Sequence, residues 1–146
     1  MTTLEFRIEP EVSRVRFLRA DIRERLEGLD VAEGDIDRLV LVVDEIVSNS
    51  IEHGATHRSP ADVLTMRLTV ESAFVSVEFH DSSVPTSTID ELLALLAKCR
   101  SGIPPIDNER GRGLFLIDDG LSELSIGAGE HGVGMQLRGR LVRETA

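Results

Sequence analysis

The chain has 146 residues, enough to bury a sizeable core, and a composition of 41% hydrophobic and 29% charged residues that excludes a disordered segment. A net charge of −10 and the absence of Trp and Tyr argue against direct nucleic-acid binding, because phosphate backbones are repelled and no large stacking platform exists; a basic protein or a metal-bound nucleotide fits better. The single cysteine, Cys99, excludes an internal disulfide and suits a reducing cytoplasm.

No apolar run reaches the roughly 18 residues of a membrane span, and the N-terminus lacks a signal-peptide layout, so no membrane partner is expected. There is no internal repeat, low-complexity segment or linker. The expectation is one cytoplasmic domain over residues 1–146.

Residues 4–8 alternate apolar and polar before Pro10, which predicts a short edge strand. From 11 to 28 the apolar positions Val12, Val15, Leu18, Ile22 and Leu26 recur every three or four residues, predicting an amphipathic helix stopped at Gly28. Arg14, Arg16, Arg19, Arg23 and Arg25 decorate it. They read as a solvated face paired with Asp21, Glu24 and Glu27, and offer a surface for an acidic partner.

A second helix follows the Glu33-Gly34 turn, with Asp35 as its cap and Gly54 as its stop. Ile36, Leu39, Val40, Val43, Ile46 and Val47 form its apolar stripe, and Leu41, Val42 and Ile51 lie off it. A helix apolar over more than half its circumference is covered on most sides, which places some of its polar residues in a cleft. Glu45, Asn49 and His53 follow one another at four-residue steps and therefore stack along one side.

After a polar loop at 57–62, residues 63–70 and 74–79 predict a hairpin turning at Glu71-Ser72-Ala73. Asp81 comes just past the second strand and alternates in phase with Val75, Val77 and Phe79. Residues 90–98 predict a short Leu/Ala-rich helix. The segment 99–110, with two prolines and no periodicity, has the length of a functional loop. Gly111, Arg112, Gly113 and Leu114 form a glycine-rich turn opening a helix that ends at Gly120, and two strands at 121–126 and 134–142 close the chain.

This order predicts a two-layer α/β (α+β) sandwich, a largely antiparallel sheet with helices on one face. Glu45 and Asn49 make an oxygen pair suited to a hard cation and to proton acceptance, or else the wet side of a helix. The 111–114 turn suits an anion such as a nucleotide phosphate, or serves structure alone. A Walker P-loop is excluded because its lysine and preceding strand are missing. His53 and His57 as a zinc pair are disfavoured by Gly54 between them, and Cys99 reads as a passive thiol.

Glu45-Ile-Val-Ser-Asn49-Ser-Ile-Glu-His53-Gly54, then Asp81 after a strand, then Gly111-Arg-Gly-Leu-Phe-Leu-Ile117 and a terminal glycine-bearing hairpin together resemble the GHKL (histidine-kinase-like) ATPase superfamily. The short form and the Gly-Arg-Gly-Leu-Phe-Leu wording resemble most the bacterial anti-sigma factors that are protein-serine kinases. The resemblance covers nearly the whole chain and implies a Bergerat-type ATP-binding fold with a mixed, largely antiparallel sheet.

By that resemblance, Asn49 would hold the Mg²⁺ that bridges the ATP phosphates, and Glu45 would be the general base. Asp81 would accept a hydrogen bond from the adenine amino group. Gly111, Arg112, Gly113 and Leu114 would close on the phosphates, and residues from about 86 to 110 would be the ATP lid. The implied partners are a sigma factor and an anti-sigma-factor antagonist phosphorylated on serine, with a homodimer as the assembly. No phospho-accepting histidine helix precedes the domain, which argues against a complete sensor histidine kinase.

Two departures stand out. Ser83, in the nucleotide-binding set, replaces the glycine of the family's Asp-x-Gly box, and Met135 follows Gly134 where a threonine is usual. If position 83 requires a positive φ, serine there costs on the order of 1 kcal/mol. A partner-switching module of the same fold without catalysis is therefore the alternative expectation.

Overall fold

The computed structural model describes residues 1–54, 59, 62–102 and 109–144, with only the backbone of His53, Glu109 and Arg110. The chain runs β1 (Thr2–Ile8), α1 (Val12–Glu27), α2 (Glu33–Gly54), β2 (Leu64–Val70), β3 (Phe74–Asp81), α3 (Thr86–Arg100), α4 (Glu109–Gly120), β4 (Glu123–Ala128) and β5 (Met135–Val142), with one 3₁₀ turn at Glu130–Gly132. The five strands form one sheet in the order β1-β2-β3-β5-β4. Every neighbouring pair is antiparallel, so the sheet is not mixed.

Period-two alternation gives the sheet one apolar face. Phe6, Leu68, Val77, Phe79, Leu137 and Ile126 are buried on it against the helices. The opposite face carries the row Glu5, Arg67, Glu78 and Arg138, which the register sets side by side across four strands. Arg67 reaches Glu5 at 3.1 Å and Glu78 at 3.7 Å, and Arg138 reaches Glu78 at 3.8 Å. Such exposed pairs add little stability, but they keep this face wet and the helices on the other.

α1 buries Val15, Leu18, Ile22 and Leu26 as its periodicity requires. Val12, expected on the same stripe, is 78% exposed because it opens the helix ahead of the packed turns. The arginines reach further than their own helix. Arg25 pairs with Asp21, whereas Arg19 reaches Asp44 and Arg23 reaches Asp37, both on α2.

α2 is buried on several sides, since Val42 and Ile51 are covered along with the main stripe. It starts at Glu33, so Asp35 lies in the first turn and is not the cap. Asp35 is fully buried, and its Oδ2 accepts a 2.9 Å bond from the Glu144 amide. The end of the chain is thus tied to the start of α2, helped by Arg143, whose guanidinium donates to the Glu71 and Asp30 carbonyls.

α3 is longer than the 90–98 expected and covers much of the segment expected to form the lid. Pro85 fixes its start, and Thr86 to Thr88 add a first turn without apolar periodicity. Its end is anchored as well: Arg100 donates to the Leu124 carbonyl at 2.7 Å and pairs with Asp118 at 3.2 Å. Residues 103–108, the rest of the expected lid, lie outside the described residues.

α4 runs antiparallel along α2. A side chain at Gly113 would meet Asn49 and Glu45, whereas one at Gly120 would meet Val42 Cγ2 at 2.6 Å. Gly120 is therefore a packing residue as well as the helix end. Gly120→Ala is expected to lower stability by about 1–3 kcal/mol through overpacking against the stiff, buried Val42, although alanine is the better helix former. Urea unfolding checks this, and a stabilised variant would contradict the packing.

Candidate functional site

Ile46, Asn49 and Ser50 of α2 form one wall of a cleft. Val84, Pro85, Thr88 and Leu92 form a second, Leu114 and Ile117 of α4 a third, and Ile126, Met135 and Leu137 of the sheet the base. The lining is nearly all apolar, with Asn49, Ser50 and Thr88 as its polar points. That is the usual make-up of a site for a flat organic group oriented by a few hydrogen bonds.

Gly113 brings the polar residues of α2 together at α4. A Cβ at position 113 would lie 2.5 Å from Asn49 Nδ2 and 3.1 Å from both Asn49 Oδ1 and Glu45 Oε2. The carboxylate and the carboxamide therefore meet the first turns of α4 directly, over a residue with no side chain. Gly111 to Leu114 belong to α4 itself, which begins at Glu109, and do not form a turn ahead of it. The first turn of α4 is the positive end of the helix dipole, so this is a suitable place for an anion.

Glu45 is half-buried, and its pKa is raised, first by burial and then by the neighbouring charge of Asp44. A carboxyl raised in the fold carries a cost when ionised. That cost is absent below the ordinary glutamate value of about 4.3 and grows as pH rises through the raised value. Glu45→Gln should therefore unfold at higher urea concentration than the parent at about pH 7, with the difference vanishing near about pH 4. A less stable variant at neutral pH would contradict the assignment.

Asp81 ends β3 on the buried face and is only 1% exposed. Ser50 Oγ donates to its Oδ2, which links it to the cleft wall. Ser83 donates twice to Oδ1, from its amide at 3.0 Å and its hydroxyl at 2.6 Å. Among the described residues the positive-φ ones other than glycine are Asp30 and His131, so Ser83 does not carry the backbone strain that a positive φ there would bring. Gly134, at φ +67, crowds the Asp81 carbonyl and Ser82 so closely that a Cβ there would overlap both.

Asn49 and Leu114 of the expected set line the cleft, and Glu45 and Gly113 adjoin Asn49. Asp81 and Ser83 connect to it through Ser50 and the following Val84 and Pro85. Gly111 is buried, and its carbonyl accepts a 3.8 Å bond from Cys99 Sγ, whereas Arg112 is exposed; neither lines the cleft. Burial, followed by the charge of Asp118, pushes the Cys99 thiol up, which suits a passive thiol. His57 and the His53 side chain, the pair weighed for zinc, lie outside the described residues.

Sequence reasoning missed Ser50, Thr88 and Leu92. Ser50 was accessible, because it continues the spacing of Val43 and Val47 on the buried side of α2. Thr88 and Leu92 were not, since nothing local shows that α3 folds back over the cleft.

This combination of an antiparallel sheet, a polar α2 face meeting a glycine of α4 and a buried aspartate at a strand end defines a histidine-kinase-like ATPase fold. The chain matches the histidine kinase-like ATPase domain over residues 8–141 and belongs to that family. It is similar in fold to a chain in the crystal structure of the SiaB-SiaC complex from Pseudomonas aeruginosa, with a TM-score of 0.66 at 16% identity, covering 95% of this chain and 89% of that one. No curated protein matches the sequence.

Proposed function

We propose that the protein binds Mg-ATP in this cleft and transfers the γ-phosphoryl group to a serine of a small partner protein. In the partner-switching scheme that its resemblance implies, the partner is an anti-sigma-factor antagonist and the protein is an anti-sigma factor that sequesters a sigma factor, acting as a homodimer. The observation that carries the enzymatic part is the meeting of Glu45 and Asn49 with Gly113 beside an apolar cleft. The solved complex of a similarly folded chain supports a role in protein partnership.

The residues fit the nucleotide and its metal. The apolar walls suit a purine ring, and Asp81 supplies an acceptor for an amino group. Asn49 offers an oxygen to magnesium, which needs only one or two protein ligands when phosphates supply the others. The N-terminal end of α4 presents the positive end of its helix dipole to the phosphates. When bound, Mg-ATP would supply the transferable phosphoryl group.

Glu45 takes the proton of the attacking serine hydroxyl. Its raised pKa makes it a stronger base than a solvated glutamate, and so better matched to neutral pH. Asn49, one turn along, would hold the metal. Phosphoryl transfer depends chiefly on positioning and electrostatics, which two side chains fixed against α4 can provide.

The alternative is a partner-binding module without catalysis. Its motive was the serine at position 83 in place of a glycine; Ser83 does not have the positive φ that would strain it, but it still carries a Cβ where the glycine would leave clearance for the nucleotide. Incubation with Mg-ATP and the antagonist should give serine phosphorylation that falls about 10²-fold or more with Glu45→Ala. Absence of phosphoserine with the parent protein, alongside normal antagonist binding, would favour the module.

A further inference from the structure

We infer that Ser83 is a positioning residue that selects the base: its hydroxyl holds the Asp81 carboxylate where it can accept the amino group of adenine. This deepens, and rests on, the nucleotide reading above. At 1% exposure the orientation of Asp81 is set by protein donors and not by water. Ser83 places two of them on the same oxygen, with Oγ at 2.6 Å and the amide at 3.0 Å, while Ser50 holds the other oxygen.

The surrounding backbone leaves little room for a substitute arrangement. Asp81 pairs with Met135 in the sheet, and Gly134 fills the space behind the Asp81 carbonyl and Ser82. Ser50 lies on the cleft wall, as do Val84 and Pro85 immediately after Ser83. One donor to the carboxylate, Ser50, is thus part of the cleft lining, and the other, Ser83, immediately precedes two lining residues. A glycine at 83 could keep the amide bond but not the hydroxyl bond. With the hydroxyl donor removed, Oδ1 is held by the amide alone, and the oxygen presented to a base is fixed less firmly.

The departure from Asp-x-Gly is thus a replacement of function: a hydroxyl that locks the base-reading carboxylate stands where a glycine would give only clearance. The effect belongs to the amino group of the base, so it separates from any general weakening of the fold. Loss of a hydrogen bond to a charged group corresponds to about a 10-fold change in affinity.

The test compares equilibrium binding of Mg-ATP and of magnesium-bound purine riboside triphosphate, which lacks the exocyclic amino group. The parent protein, Ser83→Ala, Ser83→Gly and Ser83→Thr are measured in parallel. Ala and Gly should each weaken ATP about 10-fold and leave the amino-free nucleotide unchanged, and Thr, which restores a hydroxyl, should recover ATP. Equal weakening of both nucleotides, or unchanged ATP affinity in Ala and Gly, would overturn the positioning role while leaving the nucleotide reading intact. A parent protein that binds neither nucleotide would overturn both.

Discussion

The candidate site depends on one close approach, that of α4 to the polar side of α2. Asn49 and Glu45 are long enough to hold two helices apart, and they do not because position 113 has no side chain. Seven residues on, Gly120 repeats the device against Val42. Seven residues are almost two helical turns, so the two glycines fall on one strip of α4 and let it lie along α2. The apolar end of that contact fixes the helix, and the polar end carries the candidate functional groups.

The two carboxylates nearest the cleft are treated differently by the fold. Asp81 is buried but given donors on both oxygens, as a group meant to keep one orientation requires. Glu45 is left half-buried beside Asp44, so its charge is disfavoured and its proton affinity rises. One is suited to recognition and the other to proton transfer. Divergent environments of this kind allow two similar acids to take separate roles. Elsewhere the arginines of α1 pair with α2 as well as within their own helix.

Much of this was legible in the sequence, for physical reasons. The alternation in β3 already put Asp81 in phase with Val75, Val77 and Phe79, which is the mark of a buried polar residue. Four-residue spacing put Glu45 and Asn49 on one side of α2. What failed were features set by tertiary contact. Asp35 looked like a cap because it follows a Gly turn, yet the chain terminus recruits it inside the helix. The first turn of α3 has only Ile89 as an apolar residue, too little to reveal it, and its Thr88 helps wall the cleft. Gly111 and Gly113 looked like a flexible turn. Glycine composition alone does not distinguish a bend from a helix pressed against a neighbour.

The proposed Mg-ATP site requires the Gly113 contact that brings Asn49 and Glu45 to α4. Calorimetric titration with Mg-ATP of the parent and of Gly113→Ala tests it most directly. The added methyl meets the movable end of Asn49, so the fold should survive while the site is displaced. Binding to the parent should be saturable, with at least about a 10-fold loss in the variant at unchanged melting temperature. Equal ATP affinity in the two proteins, or no saturable binding to the parent, would contradict it.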